Sequence, residues 1–213
     1  MIAGPRALPV GLGVVPTATA VRTASTTAHA GSTFTASGGL GTATAASLTL
    51  TLPSSTTATA WTDMPRLVKN VAASIAGFQV SARLAATSGL DANTFLPLAL
   101  RDASGSELVL VQTSGVGVVT VYDASGLVTN AGSLVAFNGT EGFRITLREG
   151  HLTAEYSADV SAGQWTPFYR AADRPTIPAS PWTYTYLAMN LYQGSGAAGP
   201  VSAQWADVQT VVL

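Results

Sequence analysis

The stretch Phe143-Arg-Ile-Thr-Leu-Arg-Glu-Gly-His-Leu-Thr-Ala-Glu-Tyr-Ser157 decides the fold of this chain. Apolar and polar residues alternate on both sides of Glu149-Gly150, and strict alternation is typical of a strand with one buried face. An acidic residue followed by glycine can supply the positive φ that a tight hairpin turn requires. The stretch therefore predicts two antiparallel strands joined at Glu149-Gly150.

One register of this hairpin satisfies all of its cross-strand pairs. With the turn at Glu149-Gly150 and Arg148 opposite His151, the apolar residues share one face: Phe143, Ile145, Leu147, Leu152, Ala154 and Tyr156. The other face carries a threonine pair and an opposite-charge pair, Thr146 with Thr153 and Arg144 with Glu155. Such pairs contribute about 0.2–1 kcal/mol each, and a slip by one residue would lose them. We expect the apolar face to be buried.

The composition excludes several classes of partner and site. Charged residues make up 10% of the 213 residues, and the formal net charge is −1. The chain has neither the basic field that nucleic acid phosphates require nor a polybasic stretch for an anionic membrane surface. It has no cysteine, which excludes disulfides, thiolate metal sites and cysteine nucleophiles. We therefore predict no nucleic acid and no membrane among its partners.

Residues 1–45 differ in composition from the rest of the chain. Prolines at positions 5, 9 and 16 favour extended backbone, and a run rich in Ala, Thr, Ser and Gly follows. Two interpretations stay open, a disordered leader and an arm that orders along a neighbouring subunit on assembly. The N-terminus does not have the pattern of a secretory signal. We predict an assembly arm over residues 1–45 and one domain over residues 46–213.

Short alternating segments separated by turn signals fill the rest of the chain. The predicted strands are residues 47–52, 78–84, 95–100, 108–112, 118–122, 184–192 and 201–212. Two Asp-Ala-Ser-Gly tetrapeptides, at 102–105 and 123–126, have the chemistry of turns. Residues 61–70, which contain Pro65, are predicted as irregular chain. Many short strands without a helical period predict an all-β, antiparallel two-sheet sandwich.

The order of these segments resembles that of a known family. Phe78-Gln-Val-Ser-Ala-Arg-Leu84 precedes an Asp-x-x-Gly hairpin, the 143–157 hairpin, and Gln164-Trp-Thr-Pro-Phe168. Leu187-Ala-Met-Asn-Leu-Tyr192 and the closing Val201-Ser-Ala-Gln-Trp-Ala-Asp-Val-Gln-Thr-Val211 complete the pattern. Over residues 61–213 the chain is similar to the concanavalin A-like lectin/glucanase jelly rolls. The resemblance implies two stacked sheets, of which the concave one often carries the ligand.

No catalytic or metal-binding constellation accompanies this pattern. The glucanases of that family use a Glu-x-Asp-x-x-Glu strand, whose two carboxylates flank the glycosidic bond, and this chain has no such strand. The two histidines, His29 and His151, lie near no nucleophile elbow and are too few for a zinc site. The Asp91-Ala-Asn93 loop and Asp159 are too sparse for calcium. We predict no catalytic residue, no metal and no cofactor.

The segment 184–192 is the strongest candidate for a binding face. Leu187, Met189 and Leu191 alternate along it and suit a core. The opposite side carries three phenol rings and an amide, on Tyr184, Tyr186, Asn190 and Tyr192. Aromatic rings with a few convergent polar groups are typical of ligand sites, but tyrosine is also enriched at subunit interfaces. We predict a glycan site at these four residues, with a subunit interface as the alternative.

A charge-poor sandwich preceded by an arm resembles the appendage and decoration proteins of tailed phages. This resemblance implies a non-enzymatic structural protein of the virion, in capsid decoration or in a tail or fibre. The expected partners are copies of itself in a homo-oligomer such as a trimer, other virion proteins bound through the arm, and host surface glycans. Two alternatives stay open, a secreted or cell-surface carbohydrate-binding module and a degenerate glycoside hydrolase.

Overall fold

The computed structural model describes residues 25–75, 77–101, 107–123, 126–148, 151–171 and 182–213. Within these ranges the secondary structure consists of β-strands and two 3₁₀ turns, Gly31–Thr33 and Val160–Ala162. No helix in the described part of the chain has the length and hydropathy to cross a membrane.

The strands follow one another with short connections. The first eight are β1 (Ser25–Ala28), β2 (Thr35–Ser37), β3 (Thr42–Thr44), β4 (Thr49–Leu52), β5 (Arg66–Ile75), β6 (Gly77–Ser88), β7 (Thr94–Arg101) and β8 (Glu107–Ser114). The next eight are β9 (Val118–Asp123), β10 (Gly126–Ser133), β11 (Gly142–Arg148), β12 (His151–Ser157), β13 (Thr166–Ala171), β14 (Trp182–Asn190), β15 (Tyr192–Gln193) and β16 (Val201–Val212).

These strands form two antiparallel sheets of eight strands each. The first sheet has the order β13-β12-β11-β6-β16-β4-β3, and β1 also pairs with β16. The second has the order β10-β9-β8-β7-β14-β5-β2, and β15 also pairs with β7. The inner faces of both sheets meet in one hydrophobic core. The molecule is therefore the all-β, two-sheet sandwich that the sequence predicts.

The core is built from the inward residues of alternating strands. Trp205 of β16 is 1% exposed and its ring centroid lies 6.5 Å from that of Phe143. Leu98 of β7 and Leu187 of β14 are fully buried on the facing sheet. Each of these residues has outward neighbours in its strand, whose side chains lie on the outer faces of the two sheets.

The hairpin has the predicted register. β11 and β12 pair Phe143 with Tyr156, and the intervening pairs follow as far as Arg148 with His151. The Arg144 guanidinium donates to both carboxylate oxygens of Glu155, at 2.5 and 2.7 Å. The described members of the apolar face are buried except Tyr156, which is half-buried: Phe143, Ile145, Leu147 and Ala154. The turn at 149–150 and the side chain of residue 152 lie outside the described residues.

Two segments correct the sequence-based prediction. Residues 66–70, expected to be irregular, begin β5, because Leu67 fills the core while Val68 packs on the outer face. The predicted 184–192 strand is divided, since β14 ends at Asn190 and β15 begins at Tyr192. At the break, the Leu191 N–H donates to the Pro65 carbonyl at 3.1 Å.

The described part of the predicted arm pairs with the sandwich. β1 lies against the end of β16, β2 against β5, and β3 against β4. The threonine-rich composition that suggested an extended arm also favours strands. His29 lies 2.8 Å from the Thr210 hydroxyl, and burial together with the charge of Lys69 lowers its pKa. The predicted boundary at residue 45 thus falls after three strands of the sandwich, and residues 1–24 lie outside the described part.

The two predicted Asp-Ala-Ser-Gly turns are described to different extents. Asp123 pairs with Gly126 at the closed end of the β9–β10 hairpin, and Gly126 has a φ of +115°. A glycine is required there because other residues rarely adopt such a φ. Residues 102–105 lie outside the described ranges.

Replacement of Ile145 by alanine tests the contribution of the hairpin to the core. Because this side chain is fully buried, we expect Ile145→Ala to lower the free energy of unfolding by about 2–5 kcal/mol. The control is Thr153→Ala, a half-buried position on the opposite face of the hairpin, with an expected loss of at most about 1 kcal/mol. Urea denaturation measures both changes, and equal losses would contradict the assignment of the two faces.

Candidate functional site

A cavity of about 420 Å³ opens on the outer face of the second sheet. Its floor comes from outward residues of five strands: Phe95 and Pro97 of β7, Leu110 and Gln112 of β8, Tyr122 of β9, Asn190 of β14 and Tyr192 of β15. Thr59 and Met64, in the connection between β4 and β5, form one wall. The described lining therefore combines aromatic rings with amide and hydroxyl groups, and it contains no charged side chain.

Pro97 explains why the sheet is interrupted at this cavity. β14 pairs with β7 as far as Met189 opposite Leu98, and β15 resumes with Tyr192 opposite Phe95. Pro97 lies between these two pairings and has no N–H to donate to a neighbouring strand. The chain can therefore leave the β7 ladder at Leu191 without leaving an N–H group of β7 unpaired. This break separates Asn190 from Tyr192.

The wall of the cavity, residues 53–65, is fastened to the second sheet by hydrogen bonds. Nη1 of Arg66 donates to the carbonyls of Trp61 at 2.7 Å and Met64 at 3.3 Å. Ala58 and Gln193 exchange backbone hydrogen bonds of 3.0 and 3.1 Å. These contacts hold Thr59 and Met64 beside the strand residues of the cavity.

Next to the cavity, Trp61 lies between two arginines. The Arg101 Cζ is 3.7 Å from the centroid of the indole ring, and the Arg66 Cζ is 4.9 Å from it. The indole packs on a small apolar cluster on the outer face that includes Ala188 and Leu110. Cation–π contacts of this kind contribute about 0.5–2 kcal/mol. They help to fix Trp61, and with it the wall, against the outer face of the sheet.

Asn190 is the most unusual residue of the cavity. It is 2% exposed, and its Nδ2 lies 2.9 Å from the Met64 Sδ, a weak acceptor. Its Oδ1 is buried and has no hydrogen-bond partner among the described residues. The opposite orientation of the amide is worse, because the Oδ1 would then face the Met64 sulfur, which cannot donate, and both amide atoms would be unpaired. The lining of the cavity therefore includes a buried amide whose Oδ1 needs a donor.

A polar network anchors Gln193, the residue that follows Tyr192 in β15. The Thr94 hydroxyl donates to the Gln193 Oε1 at 2.7 Å, and the Gln193 Nε2 donates to the Asp91 carboxylate at 3.1 Å. Burial by itself would raise the pKa of Asp91, but hydrogen bonds from Gln193, Asn93 and Thr94 outweigh it and hold that pKa below its ordinary value. The network fixes β15, and the Tyr192 ring lies 5.5 Å from that of Phe95 in a T-shaped arrangement.

The structure brings two of the four predicted site residues, Asn190 and Tyr192, to this cavity. The backbones of Tyr184 and Tyr186 lie in β14 beside β5, and their side chains lie outside the described residues. That the four residues bind a glycan stays a prediction.

Sequence reasoning missed the lining residues of β7, β8 and β9. Two signals were present: an aromatic ring and a proline alternating with leucines in β7, and Gln112 after four apolar residues in β8. Neither identifies a site unless it is known that β7 lies between β8 and β14.

Two further residues, Trp165 and Asp159, are not in the lining of this cavity. Trp165 lies over the hairpin, with the Arg144 Cζ 4.6 Å from its ring centroid. Asp159, considered for calcium from the sequence, caps the 3₁₀ turn through the Ser161 N–H at 2.9 Å. The side chain of His151 lies outside the described residues. Within the described ranges, no cluster of three His, Cys, Asp or Glu residues could hold a metal ion.

Solved structures resemble this chain at low sequence identity. The apo Crh5 transglycosylase has a TM-score of 0.59 at 12% identity, over 89% of this chain and 83% of that one. The VIP36 exoplasmic/lumenal domain, in its Ca²⁺/Man3GlcNAc-bound form, has a TM-score of 0.55 at 9% identity, over 87% and 85%. The CBM2 module of an evolved Dit from Lactobacillus casei BL23 phage J-1 has a TM-score of 0.50 at 16% identity, over 83% and 80%.

A sialidase also matches, with a TM-score of 0.54 at 10% identity, but this chain spans only 16% of its length. No protein-family model and no curated protein matches the sequence. At these identities the likeness shows the fold. The chain has the jelly-roll sandwich fold that the order of its segments predicts.

The Asp91 network predicts a contribution to stability that is lost in acid. A carboxyl whose pKa is lower in the folded state stabilises the fold above its unfolded pKa of about 3.9. That contribution to stability disappears as the pH falls through the pKa that the carboxyl has in the folded state. We therefore expect Asp91→Asn to melt below the parent near pH 7, and the gap to narrow on acidification below about pH 4.

Thermal melts of both proteins across this pH range measure the gap. Asp63→Asn is the matched control, because this carboxylate accepts a side-chain hydrogen bond from the adjacent Thr62 at 3.2 Å and lies outside the network. The difference in melting temperature between Asp63→Asn and the parent should be small at every pH. A gap for Asp91→Asn that stays constant from neutral pH into acid would argue against the charged network.

Proposed function

We propose that this chain binds a neutral glycan, without chemical turnover, in the cavity on the outer face of the second sheet. The observation that carries the proposal is the buried Asn190 amide, which has an unpaired polar atom at a cavity with aromatic walls. An unpaired buried polar group costs about 1–3 kcal/mol. A sugar hydroxyl that donates to the Asn190 Oδ1 would remove this cost.

The remaining lining suits the same ligand. Phe95, Tyr122 and Tyr192 offer apolar ring faces to the C–H groups of a sugar, and the phenols and the Gln112 amide can bind its hydroxyls. A volume of about 420 Å³ lies in the range of small-molecule sites. Because the described lining has no charged side chain, a neutral sugar is favoured over an acidic one.

The absence of a carboxylate or imidazole from this described lining supports binding over catalysis. Proton transfer in glycan cleavage is usually performed by such groups. The fold itself does not decide between the two, because similar structures include both an alginate lyase, AlgAT5, and the Man3GlcNAc-bound VIP36 domain. A degenerate glycoside hydrolase therefore stays as an alternative. Detectable turnover of any polysaccharide would overturn the proposal that the chain is not an enzyme.

Substitution of Asn190 tests the glycan site. The parent chain is screened against an array of neutral and acidic glycans, and calorimetry then gives the affinity for the best neutral binder. We expect Asn190→Leu to weaken binding at least tenfold, which corresponds to about 1.4 kcal/mol. The same change should leave the melting temperature unchanged or raise it, because it removes an unpaired buried polar group.

Two further variants sharpen this test. Tyr192→Phe keeps the ring and should lose less affinity than Tyr192→Ala, which also removes the stacking surface. Thr153→Ala, on the outer face of the first sheet, is the control and should bind like the parent. If the parent binds no neutral glycan, or if Asn190→Leu binds as well as the parent, the proposed site is wrong.

We further propose that the chain is a structural protein of a tailed-phage virion, in capsid decoration or in a tail or fibre. The similarity to the CBM2 module of a phage Dit supports this setting, as does the charge-poor composition. There the chain would form a homo-oligomer such as a trimer, bind other virion proteins through its N-terminal arm, and contact host surface glycans. A secreted or cell-surface carbohydrate-binding module is the alternative.

Deletion of residues 1–24 tests the assembly role of the arm. This boundary is preferable to residue 45, because residues 25–45 supply β1, β2 and β3. Sedimentation of the full chain should show a homo-oligomer, and the truncated chain should sediment as a monomer with an unchanged melting temperature. Monomers for both proteins at high concentration would count against an assembly arm.

A further inference from the structure

We propose a second ligand site, for a neutral polyhydroxylated ligand, on the outer face of the first sheet. A cleft of about 210 Å³ lies there over β6, β11 and β16. Its lining is mostly polar: Gln79, Ser81, Arg144, Trp165, Asp207 and Gln209. The core of the sandwich separates this cleft from the Asn190 cavity, so the second site does not depend on the function proposed for the first.

The charges around this cleft are matched in pairs. The Arg83 Nε donates to the Asp207 Oδ2 at 2.6 Å, and the Arg144 guanidinium binds both oxygens of Glu155. Arg144 and Asp207 line the cleft, and Glu155 and Arg83 are their respective partners. Because each cation already faces a carboxylate, the cleft has no excess charge and favours a neutral ligand over an anion.

Trp165 forms an apolar edge of the cleft, where its ring stacks on the Arg144 guanidinium, which Glu155 fixes in turn. The turn that precedes it in sequence, Val160–Ala162, is capped by Asp159 and closed by Gly163, whose φ is +67°. A fixed, half-buried indole offers a surface for the C–H groups of a sugar ring.

A bulge in β16 projects Asp207 into the cleft. The register against β6 shifts between Ala206 and Gln209, and Asp207 has a φ of +50°. Residues other than glycine adopt this left-handed backbone region at a cost in conformational energy, although Asp and Asn tolerate it best. Val208 then returns to the core at 1% exposure. The extra residue leaves Asp207 and Gln209 both outward, on the same side of the sheet.

The Asp207 carboxylate is held in a fixed orientation and can accept further hydrogen bonds. Arg83 fixes it through one oxygen, while Nη1 of Arg83 is itself held by the Gly139 carbonyl at 2.6 Å. The side chain of Asp207 remains 54% exposed, and an ionised carboxylate has about four lone-pair positions. With the amides of Gln79 and Gln209 beside it, this carboxylate can accept two neighbouring hydroxyls. That arrangement, next to an indole, fits the vicinal hydroxyls of a pyranose.

The indole N–H signals of the four tryptophans report on both sites in one NMR experiment with the full ¹⁵N-labelled chain. The probes are the methyl glycosides of glucose, mannose, galactose and N-acetylglucosamine, and Trp165→Phe assigns the signal. We expect at least one glycoside to shift the Trp165 signal saturably, both in the parent and in Asn190→Leu. If the Trp165 signal still shifts with glycoside in Asn190→Leu, the ligand binds at this site and not in the cavity on the other sheet.

Variants on β16 test the residues that bind. Asp207→Asn and Asp207→Gly both tolerate the left-handed backbone, and each should weaken the Trp165 titration at least tenfold. Asp207→Gly should melt at or above the parent temperature, which keeps the test valid if Asp207→Asn is less stable. Gln204→Ala, an outward position of the same strand whose side chain bonds the Ser47 carbonyl, is the control and should titrate like the parent.

Three results would overturn the second site. The first is a Trp165 signal that no glycoside moves. The second is a titration that Asp207→Gly leaves unchanged. The third is a Trp165 shift that follows protein concentration instead of glycoside concentration, because this would show that the face contacts a second copy of the chain.

Discussion

Burial of one face of each sheet is the constraint on which the rest of this structure depends. Along β11 the buried residues Phe143 and Ile145 alternate with Arg144 and Thr146, and the same period runs through β6 and β16. Because a side chain that points inward must be apolar, the strands can vary only on their outer faces. Both proposed sites lie on those faces, one on each sheet, where substitutions leave the core intact.

Each site also depends on a local departure from the regular sheet. Pro97 has no N–H for a neighbouring strand, and the ladder between β7 and β14 stops where the Asn190 cavity opens. On the other sheet, the bulge at Asp207 adds an outward residue to β16. A regular strand would present every second residue at even spacing. An interruption changes the direction of one side chain and leaves space beside it, and a binding site needs both.

The sequence predicted local pairing well and lateral neighbours poorly, for a physical reason. The register of residues 143–157 could be derived because only one alignment pairs apolar with apolar residues and Arg144 with Glu155. The cavity combines Phe95, Gln112 and Tyr122 with Asn190, and these residues meet only through the strand order, which no local pattern encodes. β5 was missed for a related reason: Val68 faces outward but is apolar, because Trp61 covers that face. Alternation fails as a signal where the outer face is itself covered.

Polar residues at the two proposed sites differ from those of the Asp91–Thr94–Gln193 network. In that network Thr94 and Gln193 are buried, and its hydrogen bonds satisfy its members and fix β15. The Asn190 amide is buried without such satisfaction, and a leucine there would remove the cost without disturbing a network. Asp207 likewise adopts a backbone conformation that glycine would adopt with less strain. Stability alone explains the Asp91 network. It does not explain the unpaired amide of Asn190 or the left-handed backbone of Asp207. The proposed ligands would supply the missing interactions, one by pairing with the Asn190 amide and the other by donating hydroxyls to the Asp207 carboxylate. Two such sites on opposite faces would let one molecule bridge two glycan chains, and repeated copies on an assembly would convert weak single contacts into avidity.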